Sequence, residues 1–247
     1  MIQGWPLDYW QSKEWLDVQD KLDGLERDVI PYNPSRCDIF RALSLCSLDA
    51  CRVCIIGQDP YPNPNFATGV AFSSRKTQDN VVHGGSGTVQ DDIPASLRTI
   101  FREFCRDLSI PWWPETGCLE PWCERGVLLW NATPTVEIER TTDRLQRVGW
   151  RAYSHKYWSE WPPLTQEIVE RLSAKGGIVF AFLGARAKEY AKYVDTGSGY
   201  NTCLFYSHPS PLAQQFTNNP FVGSRFFTTI NDKLLNIHCK ETIDWRL

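Results

Sequence analysis

Four short apolar runs limit what this chain can fold into: "RVCIIG" at 52–57, "GVLLWN" at 126–131, "IVFAFLG" at 178–184 and "NTCLFY" at 201–206. Each reads as a core strand, and helical patterns lie between them. "SLRTIFREFCRDL" sets Leu97, Ile100, Phe101, Phe104 and Leu108 on one helical face. "LTQEIVERLSAKGG" closes on glycine, as a helix C-terminus does. "ARAKEYAKYV" and "SRFFTTINDKLLNI" also read as helices. Residues 10–47 read as helical, interrupted at "VIPYNPS"; there "SRCDIFRAL" carries Ile39, Phe40 and Leu43 at helix spacing, with Ser35 as N-cap. Strands separated by helices imply a parallel sheet with helices on its faces. The expected fold class is therefore α/β, a single domain around a central four-stranded parallel twisted sheet flanked by helices.

Such sheets bind ligands beyond the carboxyl ends of their strands. Here the four runs lead into "GQDPY", "NATPT", "GARAK" and "HPSPL". If the sheet is parallel, all four segments meet on one rim. A polar, Gly-rich stretch at about 75–95, "RKTQDNVVHGGSGTVQDDIPA", reads as an inserted mobile loop. No internal repeat and no linker divides the 247 residues.

Bulk properties exclude more than they select. A net charge of −3 argues against coating nucleic acid by bulk charge, although a local basic groove is compatible with it. No run of 18 apolar residues is present, so no membrane association is expected. The start "MIQGWPLDYWQSKEW" lacks the basic and apolar regions of a signal peptide, and an intracellular location is expected. The nine cysteines are then expected to be free thiols. Cys46, Cys51 and Cys54 have a spacing that also occurs at iron–sulfur sites. Their place in a helix end and a core strand favours packing as small hydrophobes.

With these segments in order, the chain resembles a family 1 uracil-DNA glycosylase over roughly residues 10 to 247. "GQDPY" matches that family's water-activating loop, and Phe72–Ser73 the end of the same motif. "GVLLWNATPTV" is similar to its uracil-binding strand, "HPSPL" to its DNA-intercalation loop, and "IDW" to its C-terminal signature. "VIPYNPSRCDIFRAL" resembles its lead-in helix. The resemblance implies hydrolysis of the bond between uracil and deoxyribose in DNA, with no cofactor and no metal. Its implied partners are uracil-containing DNA, single- or double-stranded, and a DNA-mimicking inhibitor protein. A monomer is expected.

The chemistry can be checked against the residues that the resemblance assigns. Cleaving this bond develops positive charge on the sugar and negative charge on the base. Asp59 supplies an anion near the sugar, or positions the attacking water. His208 supplies a donor to uracil O2, for which a neutral imidazole N–H suffices. Asn131 donates to O4 and accepts from N3–H, a pattern that cytosine reverses. Phe72 stacks on the base, and Tyr61, stiffened by Pro60, fills the space of a thymine methyl. Gln58 belongs to the same uracil-binding set. Leu212 matches the apolar wedge that replaces the extruded base, on a loop stiffened by Pro209 and Pro211. Ser96 and Ser210 match serines that clamp phosphates, and Arg225 adds local positive charge. Taken singly, each of these residues has a plainer reading as a turn former, core ring or solvated charge.

The chain departs from the family at several points. Pro62 stands where His usually follows "GQDPY", as in poxvirus members. Ala185 replaces a phosphate-binding Ser. The 75–95 insert is about a dozen residues longer than usual, and the loop from Leu212 to Gly223 is extended. These changes bear on DNA affinity more than on base chemistry. The competing reading is a catalytically weak or inactive DNA-binding or replication-accessory protein on the same fold. A third is an iron–sulfur glycosylase of another family, which "GQDPY" opposes.

Overall fold

A computed structural model describes residues 2–75, 93–142, 148–152, 158–197 and 200–247. Most of the Gly-rich insert expected at 75–95 lies outside the described residues. The four apolar runs form strands β2 (Val53–Gly57), β3 (Val127–Asn131), β6 (Val179–Leu183) and β7 (Thr202–Tyr206). They pair in the order β3-β2-β6-β7, and every pairing is parallel. Every residue of β2, β3 and β6 is buried, as strands covered on both faces must be.

The covering helices are α1 (Lys13–Arg27), α2 (Arg41–Leu45), α3 (Ala95–Asp107), α4 (Glu120–Glu124), α5 (Trp161–Lys175), α6 (Ala185–Lys188), α7 (Pro211–Gln215) and α8 (Phe226–Asn236). Buried side chains from Trp5 to Trp245 join one hydrophobic cluster. Large rings inside it keep partners for their polar edges: Trp5 Nε1 donates to the Leu43 and Cys46 carbonyls, and Trp122 Nε1 to that of Trp245. No helix among the described residues is long and apolar enough to cross a membrane.

Two expected helices are corrected. "SRCDIFRAL" is a 3₁₀ turn over Arg36–Asp38 followed by the short α2, and Ser35 makes no side-chain cap. The Ser35 hydroxyl instead binds Asp38 Oδ2, a carboxylate that also pairs with Arg75. Such local side-chain bonds compete with a helix. "ARAKEYAKYV" tightens after α6 into a 3₁₀ helix over Glu189–Tyr193. The three-residue period eclipses Tyr190 and Tyr193, whose ring centroids are 6.3 Å apart.

A second sheet was not anticipated. Strands β1 (Tyr32–Asn33), β4 (Val136–Thr142) and β5 (Val148–Ala152) pair antiparallel in the order β1-β4-β5. Strand β4 follows β3 in the chain, and β1 brings Asn33 to the turn that follows β2.

Candidate active site

The parallel register brings the carboxyl ends of the strands level: Gly57 pairs with Asn131, Ile56 with Phe182, and Leu183 with Tyr206. Beyond these ends lies a cavity of about 360 Å³, lined among others by Asp59, Tyr61, Phe72, Asn131 and His208. Ser96, Ser210, Pro211 and Pro62 reach the same cavity. Gln58, Leu212, Ala185 and Arg225 do not line it.

The Asp59 wall is held from both sides. The Ala132 N–H donates to the Gly57 carbonyl and the Thr133 N–H to that of Gln58, so the turn continues the β2–β3 pairing. Behind Asn131, the Thr165 hydroxyl donates to the Ala132 carbonyl and accepts from Trp130 Nε1. From the second sheet, Asn33 Nδ2 donates to the carbonyls of Tyr61 and Pro62, at 2.8 and 2.9 Å. The turn is thus pinned by a side chain 28 residues away in sequence.

Phe72 forms the floor. It adopts φ 63°, uncommon for a bulky residue, and its carbonyl accepts from the Tyr61 hydroxyl at 2.9 Å. The same hydroxyl lies 3.0 Å from Ser96 Oγ. Burial pushes the Tyr61 phenol well above its ordinary value, so it is neutral. Gly57 is required by contact: a Cβ there would come within 2.9 Å of both Asn131 Oδ1 and Phe72 Cζ. Asn131 is 9 % exposed. Its side chain is among those that line the cavity.

His208 enters from the opposite wall, its ring 5.8 Å from that of Phe72. Burial lowers its pKa to about 4, so the imidazole is neutral at physiological pH. Nδ1 accepts the Ser210 N–H at 3.1 Å, which leaves the proton on Nε2. That geometry presents an uncharged donor. Gly184, at φ 96°, makes room for it, since a Cβ would lie 3.1 Å from that of His208.

After His208 the chain turns outward. Ser210 caps α7 by accepting from the Ala213 N–H. Leu212 and Phe216 are 68 % and 80 % exposed. Gln214 closes the extended loop: its Nε2 donates to Ser207 Oγ and the His208 carbonyl, and its Oε1 accepts from the N–H groups of Phe221 and Val222. The Arg225 N–H and that of Gly223 donate to the buried Glu103 carboxylate. Ala185 opens α6 just beyond the carboxyl end of β6 and is exposed.

Sequence reasoning missed Asn33, Gly57 and Gln214. Only Gly57 had a local signal, a glycine ending an apolar run. Cys46, Cys51 and Cys54 are buried, and Cys51 Sγ donates to the Val53 carbonyl. Among the described residues no group of three or more His, Cys, Asp or Glu side chains is arranged to hold a metal.

The fold and site define a parallel α/β protein with an amide, a carboxylate, a neutral imidazole and an aromatic face around one pocket at its strand ends, the place where such sheets bind ligands. The family model described as the Uracil DNA glycosylase superfamily matches residues 44–235. A uracil-DNA glycosylase of Campylobacter jejuni (strain 81116) is 33% identical over 243 residues, 97% of this chain and 90% of the relative. One of Acinetobacter baylyi is 36% identical over 227 residues, 92% of this chain and 82% of the relative. The crystal structure of mimivirus uracil-DNA glycosylase aligns with a TM-score of 0.74 at 21% identity, covering 97% of this chain and 85% of that one. A mimivirus variant in complex with UGI aligns equally well, at 0.74 and 21%, over 98% of this chain and 89% of the other. The chain belongs to the uracil DNA glycosylase superfamily, as its motifs led us to expect.

Proposed function

We infer that this protein is a hydrolase acting on N-glycosyl bonds: it excises uracil from DNA and leaves an abasic site, the first step of base excision repair. The observation that carries the residue assignment is the convergence of Asp59, Asn131, Phe72, Tyr61 and His208 on one 360 Å³ cavity. A base inside a duplex cannot reach such a cavity, so the nucleotide must be flipped out.

In this reading the flipped uracil lies on Phe72, with its O4 and N3–H against the Asn131 carboxamide. The C1′–N1 bond breaks as electrons move onto the base, and His208 Nε2–H stabilises the charge growing on O2. A neutral donor suits this task, because the hydrogen bond strengthens as charge develops. Asp59 offsets the positive charge on the sugar and orients a water molecule. The water oxygen bonds to C1′, and its departing proton balances the uracil anion. A group acting as base contributes roughly 10²–10⁴-fold, and one oxyanion donor roughly 10²–10³-fold. Tyr61, fixed by its bonds to Phe72 and Ser96, blocks a 5-methyl group.

Ser96, Ser210 and Arg225 are assigned to the DNA backbone, and Leu212 to the space vacated by the base. Gln58 belongs with the uracil contacts through its place beside Asp59. Ala185 provides only main-chain contact where a hydroxyl is usual. A DNA-mimicking inhibitor would grip the same exposed loop, and we assign the chain a single-domain, monomeric organisation. Incubation with a uracil-containing oligonucleotide followed by alkali tests the reading: strand cleavage at uracil is expected. An intact strand, with DNA binding retained, would favour the accessory-protein alternative.

A further inference from the structure

A second cavity, of about 400 Å³, lies on the far side of His208, between α6, the end of β7 and the loop after α7. Its walls include Phe205, Phe216, Lys188 and Ala185, and His208 and Ser207 separate it from the first cavity. Phe205, on the edge strand β7, is 43 % exposed, and its ring stacks on Phe182 at 5.7 Å and 19°. Lys188 Nζ sits 5.3 Å above the Phe205 centroid. Lys188 is the charged side chain among the lining residues, and no carboxylate is present there. Two accessible rings, one cation and no anion suit a flat aromatic group carried on a polyanion.

We propose that this cavity is a subsite for an unpaired nucleobase adjacent to the flipped nucleotide, and that it favours single-stranded DNA. The proposal rests on the DNA-acting reading above. Three observations point to this occupant. The cavity adjoins the candidate active site across His208, which lines both, so one strand can reach both. Its volume is within the range of pockets that enclose a small aromatic ligand. Phe205 is braced by Phe182, so a base can stack on it without ordering a loose side chain, and base–aromatic stacking is independent of sequence. In a duplex the neighbouring base is paired and stacked inside the helix, and it cannot enter. Phe216 thereby has a role separate from that of Leu212: it closes the subsite and does not fill the duplex.

The test is equilibrium binding by fluorescence anisotropy, using an oligonucleotide that carries an abasic site, single-stranded and as a duplex. Phe205→Ala and Phe216→Ala are each expected to weaken single-strand binding about tenfold and duplex binding less than twofold. Lys188→Gln is expected to lower the salt slope on the single strand by about 0.7. Replacing the base on one side of the site by an abasic spacer should weaken wild-type binding and leave Phe205→Ala unaffected. Equal losses on both DNA forms, or no loss in either aromatic variant, would overturn the subsite. Uracil release by the wild-type protein, measured separately, reports on the excision reading alone.

Discussion

The wall carrying Asp59 and the loop carrying Leu212 face the same cavity but are built in opposite ways. Residues 57–73 are buried or half-buried except Pro64 and Asn65, and they are tied to β3, to the second sheet and to α3 by bonds at Gly57, Gln58, Tyr61 and Phe72. Residues 211–220 are largely exposed, and Gln214 and Ser210 hold them chiefly to their own neighbours. A pocket that discriminates bases needs unpaired polar groups fixed in place, because an unsatisfied partner then costs about 1–3 kcal/mol. A wedge needs exposed apolar surface, and its stiffness is needed only within the loop. In the proposed reading one region is preorganised for recognition and the other for insertion.

The largest test of this contrast removes charge from the first region. Asp59→Asn keeps the size of the side chain, so the thermal midpoint should barely move while turnover falls roughly 10²–10⁴-fold. Single-turnover release of uracil measures it. A variant within a few-fold of wild type would remove Asp59 from the reaction and break the distinction between the two regions.

His208 stands at the border of the two regions, and its loss should cost roughly 10²–10³-fold as His208→Leu. Burial holds its folded pKa at about 4, below the ordinary 6.5. The unfolded chain therefore binds more protons than the folded one between those values, and stability falls as pH drops from about 6.5 towards 4. That share amounts to about 3 kcal/mol. Urea unfolding at pH 7 and pH 4.5 should show a smaller acid loss in His208→Leu. An unchanged acid slope would mean that the imidazole is not held neutral.

The two regions also differed in legibility. The strand ends and the segments that line the cavity were readable because apolar runs stopped at Pro and Gly, which leave little conformational choice. The hairpin β4–β5 had a signal, "VEIE", alternating buried and half-buried positions along β4, but it lay beside stronger motifs. The role of Asn33 had no local signal, since it depends on carbonyls 28 and 29 residues away. Gln214 was equally silent: its four bonds close a loop whose shape only the fold defines. At the break in "SRCDIFRAL", Asp38 binds Ser35 locally and also Arg75, a contact between distant segments. Short-range chemistry was visible, and long-range pinning was not.

Leu212→Ala sharpens the contrast by affecting one kind of substrate. The side chain is exposed and outside the 360 Å³ cavity, so folding and single-strand excision should be unaffected. On duplex DNA, loss of an apolar insert that offsets unstacking should raise KM about tenfold. Equal effects on both substrates would place Leu212 in general binding and deprive the loop of its separate role.

The smallest expected effects come from the two pins, and they should differ in kind. Asn33→Ala removes both donors to the Tyr61 and Pro62 carbonyls, at a stability cost of about 1–3 kcal/mol. Because the turn carries Asp59, kcat should fall several-fold on single-stranded and duplex DNA alike, with KM little changed. Gln214→Ala releases the loop around Phe221 and Val222 and should act mainly on KM, more on duplex than on single-stranded DNA. Its bond to the His208 carbonyl is a direct route by which it reaches His208. Gln214→Glu keeps the acceptor for Phe221 and Val222 but loses the amide donor to His208. If both variants lower kcat, each having lost the donor to that carbonyl, the loop and His208 are coupled through it. If both variants change KM alone, the exposed region is mechanically independent of the pocket it serves.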